Sequence, residues 1–243
     1  MTVTAAPPRF AQLDYQGAKI QIRAETKWEQ EFRVQSCRKE PWTAAWIEGI
    51  DPQTCVLWDV GANVGGYSLI ASARGVTTLA FEPGYANYSA LCDNVVANAT
   101  LPGRILPLPI ALSDETKLTP FFYSSLEAGA ASHAFGKQET KSMARLDVLS
   151  MRADDFVYQF KMPVPTHVKL DVDGAEERVL KGMRSIFDAG MVQEIMIEMP
   201  NNATEGIAVN TALRAAGFRE AERWSEREGL VIPGIHYELH RRV

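Results

Sequence analysis

No uninterrupted apolar run in this chain reaches the roughly 20 residues a helix needs to cross a bilayer, so a helical membrane protein is not expected. Cysteine is scarce. Cys37, Cys55 and Cys92 are three in number, therefore odd, and lack metal-ligand spacing; this argues against a disulfide framework or a zinc cluster and leaves reduced, buried thiols as the expectation. Positive charge is also in short supply: 25 Lys and Arg face 30 Asp and Glu, for a net charge of −5 without any basic cluster. Such a balance disfavours a nucleic-acid footprint and favours small or neutral partners. Repeats with a period of roughly 20–50 residues and low-complexity tracts are missing, which removes solenoids and linkers. Met1 to Phe10 has no basic segment followed by an apolar one, so no export signal is expected and the cytoplasm is the expected compartment; these residues are expected to fray.

What remains is the composition of an ordinary soluble enzyme, 46% hydrophobic and 23% charged. An α/β chain of this size can bury roughly three quarters of its unfolded surface in one main domain. Residues 1–50 read as a hairpin and helical cover belonging to the same unit, and residues 51–243 as the ligand-binding domain. Alternation from Gln12 to Arg23 around Gln16-Gly17 predicts a β-hairpin. Trp28 to Ile50 is helical in pattern and broken at Pro41, with Trp42, Ala45 and Trp46 as an apolar stripe over the sheet edge or the mouth of a site.

Strands and helices then alternate. Val56–Val60, Thr77–Phe81 and Ile105–Ala111 read as strands, the last an outer one because of Pro107 and Pro109. Helices are expected over Gly65–Ala73 and Tyr85–Asn98, a looser segment over Thr119–Phe135, and a strand near Leu146–Met151 before a short helix at Asp154–Phe160. His167–Val172 and Glu194–Glu198 read as strands, Ala175–Phe187 and Thr204–Ala216 as helices, and Phe218–Trp224 with Ile235–His240 as a final pair of extended runs. Crossover helices imply a parallel sheet covered on both faces, while the last two runs imply an antiparallel hairpin. A seven-stranded, mostly parallel sheet ending in such a hairpin resembles the class I methyltransferase fold, a Rossmann-like α/β architecture.

The densest signal is Val56-Leu57-Trp58-Asp59-Val60-Gly61-Ala62-Asn63-Val64-Gly65-Gly66-Tyr67-Ser68, an apolar strand entering a helix through a glycine turn. Gly61 suits the left-handed dihedrals of a tight turn, Gly65 a close approach, and Asn63 the helix N-cap. The spacing is Asp-x-Gly-x-x-x-Gly rather than the Gly-x-Gly-x-x-Gly of dinucleotide enzymes. Asp59 puts a carboxylate where a pyrophosphate would sit. A carboxylate repels phosphate but suits an ammonium and a sulfonium, and S-adenosylmethionine carries both.

Open α/β sheets bind ligands beyond the C-terminal ends of their strands. Glu82, about 20 residues after Gly61 and followed by Pro83, stands where an acid accepts hydrogen bonds from ribose hydroxyls. Along Lys169-Leu170-Asp171-Val172-Asp173-Gly174-Ala175-Glu176, alternation puts Lys169, Asp171 and Asp173 on one side, with Asp173 and Glu176 matching a capping box. Asp171 faces the expected reaction site. Glu198 ends the neighbouring strand and could approach it, so Asp171, Asp173 and Glu198 could hold Mg²⁺ or Ca²⁺ through oxygen, an arrangement not favoured over a metal-free site. His133, His167, His236 and His240 lack ligand spacing; His133, in the loose Gly129-Ala130-Ala131-Ser132-His133 segment, could reach an acceptor.

With these residues in hand, the chain resembles the FkbM family of S-adenosylmethionine-dependent methyltransferases from about Lys39 to Phe218. The pieces are Lys39-Glu40-Pro41-Trp42-Thr43 before Trp46-Ile47, the Asp-Val-Gly-Ala-Asn-Val-Gly loop with Tyr67-Ser68-Leu69, and Phe81-Glu82-Pro83 with Asn87, Leu91, Asn94 and Asn98. Ala111-Leu112-Ser113-Asp114, Lys169 to Glu176 and Ile197-Glu198 complete them. The resemblance implies that Asp59, Gly61 and Asn63 line the methionine end, with Ala62, Gly65 and Ser68 in the same loop and helix. It further implies that Glu82 and Pro83 meet the ribose with Asn87 nearby, that Ala111, Leu112 and Ser113 flank the adenine, and that Asp171 lies near the sulfonium. Arg152-Ala153-Asp154-Asp155-Phe156 departs from the family, which has a short hydroxyl residue and Leu there, and carries no assigned function.

Members mostly methylate hydroxyls of sugars, glycolipids or polyketide-like products, so the resemblance implies O-methylation of a small-molecule or glycan acceptor. Methyl transfer is an in-line displacement, to which the protein contributes positioning and, for an alcohol, a base. Asp171, then Asp173 or His133, are the candidates. Three other readings compete: an NAD(P)-linked oxidoreductase, a noncatalytic cofactor-binding protein, and an enzyme using S-adenosylmethionine for intramolecular displacement or elimination. A nucleic-acid base N-methyltransferase is disfavoured because Asp171-Val172-Asp173-Gly174 stands where an Asn/Asp-Pro-Pro-aromatic stretch would be expected.

Overall fold

The structure, a computed structural model, describes residues 9–131, 133–136, 142–200, 202–225 and 236–243; of the expected fraying of Met1 to Phe10, residues 1–8 lie outside the described residues, as do the expectations for Ser132 and Ile235, whereas Phe10 is not frayed but paired in a strand. The chain opens with an antiparallel pair, β1 (Phe10–Gln12) and β2 (Gln21–Arg23). A π-helical turn at Glu29–Arg33, α1 (Ser36–Lys39) and α2 (Pro41–Glu48) follow. Pro41 separates the two helices by opening the second, where its missing N–H leaves no helix hydrogen bond unmade. Then come β3 (Val56–Val60), α3 (Gly66–Ala73), β4 (Thr77–Phe81), α4 (Tyr85–Ala97) and β5 (Ile105–Leu108). After β6 (Ala111–Leu112), β7 (Lys117–Tyr123), β8 (Ala134–Phe135), β9 (Ala144–Met151) and α5 (Ala153–Phe160), the chain returns through β10 (His167–Leu170), α6 (Glu176–Gly182) and α7 (Arg184–Asp188). It ends with β11 (Glu194–Met199), α8 (Ala203–Ala215), β12 (Phe218–Ser225) and β13 (His236–Arg242).

The main sheet has seven strands in the order β12-β13-β11-β10-β3-β4-β5. β5, β4, β3, β10 and β11 run parallel, while β13 joins β11 antiparallel and pairs with β12 as the C-terminal hairpin. The connections reverse direction between β3 and β10, the switch point of the sheet.

Side-chain alternation sorts the core onto two faces. Trp58, Val60, Leu79, Phe81, Val168, Leu170, Ile195 and Ile197 pack with residues of α5 to α8. Leu57 and Met196 belong to the other face, with α3, Leu13, Ile20 and Ile22 of the hairpin region, and Trp42, Trp46 and Ile47 of α2. Full burial of Leu13, Ile20 and Ile22 stabilises the hairpin's seat on the sheet, each side chain by about 1.5–3 kcal/mol. The backbone of β2 is also held laterally by α4: Asn98 accepts from Gln21 N at 2.9 Å and donates to Gln21 O at 2.6 Å, while Asn94 accepts from Arg23 N at 2.7 Å.

Several expectations change. The third strand stops at Leu108, and Pro109 with Ile110 turns the chain into a second sheet, ordered β6-β9-β7-β8. The segment read as loose, Thr119–Phe135, contributes β7 and β8; Pro120 weakens the local signal, and the partner β9 is remote in sequence. The long helix after β10 divides at Met183, and a Cβ on the preceding Gly182 would fall 2.0 Å from Ser113 O. Ala45 is exposed, so the buried stripe of α2 is Trp42, Thr43, Ala44, Trp46 and Ile47. The cysteines are free, as expected, but only partly buried.

Candidate active site

The glycine turn is built from left-handed backbone, at Gly61 (φ 85°), Asn63 (φ 51°) and Gly65 (φ 86°). Gly61 N and Ala62 N both donate to Phe81 O at 3.0 Å, which ties the turn to the end of β4. On its other side the turn packs on β10: a Cβ on Gly61 would lie 1.8 Å from Asp171 O. Gly65 makes room for a neighbouring helix rather than for backbone or ligand, since its Cβ would meet Leu91 Cδ1 at 2.4 Å. Gly65 is also the N-cap of α3, with no side-chain capping bond, so Asn63 is not the cap. Its left-handed conformation instead points its N–H at Glu82 Oε2 (2.8 Å) and its Nδ2 at Ala130 O (2.8 Å).

Glu82 is 5% exposed, and Gly84 N donates to its Oε1 at 2.8 Å, so each carboxylate oxygen is oriented by one backbone amide. Burial pushes this carboxyl up to about 7, against the lowering effect of the two amides. One cavity brings Glu82 together with Gly61, Ala62, Asn63, Pro83, Asn87, Ala111, Leu112, Asp171, Asp173 and His133.

Asp59, Gly65, Ser68 and Ser113 of the expected set do not line it. Asp59 shares the α3-facing side of β3 with Leu57, is fully buried, and accepts from Ser68 Oγ at 2.6 Å; its Oδ1 has no hydrogen-bond partner among the described residues. Burial raises its pKa, with Lys169 and Ser68 opposing. Ser113 is buried beneath Gly182 and donates its N–H to Met151 O at 2.9 Å.

At the ends of β10, β11 and β13, ionisable side chains meet directly. Lys169, opposite Asp59 in register, is 2% exposed and donates to Asp171 Oδ2 at 3.0 Å. Burial disfavours its charge, but Asp171, Asp59 and Glu40 outweigh that and hold the ammonium firmly protonated. The same pairing holds Asp171 well below the usual carboxylate range despite its burial. Glu198 does approach Asp171: Tyr237 OH donates to Glu198 Oε2 at 2.7 Å and lies 3.4 Å from Asp171 Oδ2. Burial and then Asp171 push the Glu198 carboxyl up to about 9. The alternation drawn through Asp173 does not hold, because β10 ends at Leu170 and Asp173 is an exposed rim residue with φ 53°. Nor does Asp173 cap α6, whose N-cap is Ala175; Glu176 reaches back to Val172 N and Gly174 N, both at 3.2 Å.

His133 is 8% exposed, packed against Phe121 and Tyr123, with Nδ1 3.1 Å from Ser124 Oγ. Burial, aided by Arg33, lowers its pKa to about 4, so it is a neutral imidazole of low basicity. Asn87 donates to Ala130 O at 3.1 Å and accepts from Gly129 N at 2.8 Å, supporting the segment that leads to His133. Among the described residues, no group of at least three His, Cys, Asp or Glu is placed to hold a metal ion.

Residues 59–220 match the methyltransferase FkbM domain. The chain belongs to the FkbM methyltransferase family. It is 30% identical over 144 residues to the hexuronic acid methyltransferase AglP of Haloferax volcanii, a match covering 59% of this chain and only 55% of that relative. Among solved structures, the methyltransferase FkbM of Methylobacillus flagellatus superposes with a TM-score of 0.53 at 15% identity, over 77% of this chain and 43% of that one. The magnesium protoporphyrin IX methyltransferase ChlM of Synechocystis, solved with S-adenosylmethionine bound, gives 0.51 at 12% identity over 90% and 86%. These likenesses bear out the class I Rossmann-like fold.

Within this FkbM domain the pieces of the resemblance divide into wall and scaffold. On α4, Asn87 reaches the wall, whereas Leu91 packs on Gly65, and Asn94 and Asn98 hold the hairpin. The departure at Arg152 to Phe156 is structural: Asp154 accepts from Ser185 N and Ile186 N, both at 3.1 Å, at the start of α7. Sequence reasoning left out Arg33, Lys39, Glu40, Tyr67, Lys169 and Tyr237 as site residues, and all of them line the cavity. For Lys169 a signal existed: a lysine within an apolar strand covered on both faces needs a buried partner.

Proposed function

We propose that this chain transfers a methyl group from S-adenosylmethionine to an oxygen atom of a sugar-type acceptor. The observation that carries the reading is Glu82, a buried carboxylate at the end of β4 whose two oxygens are each aligned by a backbone N–H and face the same cavity as Asp171. Each oxygen keeps a lone pair for a ribose hydroxyl. Pro83, Ile110, Ala111 and Leu112 offer the apolar surface an adenine needs, and the acid-rich remainder of the wall suits a cationic cofactor. Bound S-adenosylmethionine would supply an already activated methyl group, leaving the protein to position and orient. Asp59, Ser68 and Gly65 serve this site from behind, by setting the turn. Asn87 and Asn63 steady the segment over Ala130.

For a hydroxyl acceptor, a group on the wall takes the proton; Asp171 is the first candidate, with Asp173 on the rim and His133 beyond it. Lys169 weakens Asp171 for that task by stabilising its ionised form. The same observation favours a second reading, in which the methylated oxygen belongs to a carboxylate that has no proton to lose. Arg33 and Lys169 on the wall would suit such an anion. The relative named as a hexuronic acid methyltransferase is compatible with both, since a hexuronic acid offers hydroxyls and a carboxylate.

The test is incubation with methyl-labelled S-adenosylmethionine and either a uronic acid glycoside or its neutral counterpart. Label stable to mild alkali on both sugars supports the hydroxyl reading; alkali-labile label on the uronic acid alone supports the ester. Consumption of S-adenosylmethionine that yields methylthioadenosine without any acceptor would overturn methyl transfer itself.

A further inference from the structure

The carboxylate that sequence spacing singles out for a cationic amino-acid group, Asp59, does not reach the cavity wall. A different one does. Glu40, at the junction of α1 and α2, is 2% exposed and lines the cavity beside Lys39, whose Nζ is 2.7 Å from Glu40 Oε1. Besides Lys39, two hydroxyls of the fold reach this carboxylate: Thr43 Oγ1, 3.3 Å from Oε2, and the phenol of Tyr67. Burial raises its pKa, but Lys39 and then Lys169 outweigh that, so the net shift is downward and Glu40 is ionised. Its charged neighbours are Lys39, Lys169 and Asp171, whereas those of Glu82 are Asp173 and Arg33. The two buried acids therefore serve separate regions of one cavity. Tyr67, in the first turn of the helix that follows the glycine loop, lies by Glu40 and donates to Ser36 O at 3.0 Å, which ties the cover to that loop.

An adjacent pair of a half-buried cation and a buried anion forms a template for a zwitterion: the ammonium of Lys39 complements a carboxylate, and the carboxylate of Glu40 complements an ammonium. We infer that Lys39 and Glu40 clamp the α-amino-carboxylate end of the cofactor, a subsite built by the N-terminal cover and separate from the glycine turn. The inference rests on the S-adenosylmethionine reading above.

Calorimetric titration with two ligands separates them. S-adenosylhomocysteine carries the amino-acid end; 5′-methylthioadenosine keeps the adenosine and thioether but lacks it. Glu40→Gln should weaken S-adenosylhomocysteine by about 10- to 100-fold and leave methylthioadenosine within about twofold of the wild type. Equal losses for both ligands, no loss for S-adenosylhomocysteine, or a wild type that binds both ligands equally well would overturn the clamp while leaving the cofactor reading intact. A wild type that binds neither overturns the cofactor reading and the clamp together. Should Glu40→Gln bind neither because it fails to fold, Lys39→Met decides, since the lysine side chain is 27% exposed. Loss confined to S-adenosylhomocysteine supports the clamp, and unchanged affinity removes it.

Discussion

The two halves of the cavity are made in different ways. On the β3–β4 side the wall is largely backbone: the Gly61 and Ala62 amides are committed to Phe81 O, and the Asn63 and Gly84 amides to the carboxylate of Glu82. On the β10–β11–β13 side it is side chain against side chain, with Lys169, Asp171, Glu198 and Tyr237 in mutual contact. The first half is assembled from neighbouring segments, Gly61 to Gly84, and its parts can be recognised in sequence order. The second is assembled from three strand ends far apart in the chain, and its protonation depends on their juxtaposition. A rigid half suits a constant cofactor, and a titratable half suits chemistry at an acceptor.

The contrast can be broken or sharpened by substitution. The largest effect is expected at Gly61→Ala, which combines strained left-handed backbone with a Cβ 1.8 Å from Asp171 O. Urea unfolding should register a loss of about 3 kcal/mol or more; a loss below about 1 kcal/mol would mean the backbone half is not rigid.

Lys169→Met should cost about 2–4 kcal/mol at neutral pH, because Asp171 stays partly buried without its cation. Sign and window follow from the lowered Asp171 pKa: its pairing stabilises the fold above the unfolded value of about 3.9 and is lost as pH falls through the folded value. Removing Lys169 should therefore make the fold less sensitive to acidification below about pH 5. An unaltered acid limb in the unfolding curves would show that the ion pair is not what depresses Asp171.

Glu198→Gln tests the opposite sign. With its folded pKa raised to about 9, the native wild type holds a proton the unfolded chain releases, so stability declines as pH rises from the unfolded value of about 4.3 toward 9. Glutamine has no proton to lose but still accepts from Tyr237. Relative to the wild type, the variant should gain about 1–1.4 kcal/mol for each pH unit between pH 5 and pH 8 in thermal or urea unfolding. A constant difference across that range would contradict a protonated Glu198. The smallest effect belongs to the scaffold. Asn98→Ala removes two bonds to Gln21 and should cost about 1 kcal/mol, with amide exchange quickening at Gln21; protection unchanged there would mean that the Asn98 amide does not hold β2.

Legibility in the sequence follows the same division. β3 and β4 have the expected bounds because each is a short apolar run stopped by glycine or by Glu82-Pro83. The second sheet was not legible, since β7 is interrupted by Pro120 and finds its partner β9 only after the chain has folded back. Among site residues, Glu82 and Asp171 were readable from their positions at strand ends. Asp59 was readable as an acid beside the turn but not as one facing away from the cavity, because the side a residue faces at the end of a strand depends on what packs there.

By itself the sequence determined the βα alternation, the antiparallel ending, the glycine turn and the acid at the end of the second parallel strand. These rest on local physics: side-chain periodicity, the dihedral freedom of glycine and the chemistry that strand ends expose. Only the tertiary structure decided which carboxylates reach the cavity, that Lys169 keeps Asp171 ionised while Glu198 holds its proton, and that Lys39 and Glu40 of the cover belong to the wall. Exposure and proton affinity are set by neighbours brought together across the fold, and no single segment carries that information.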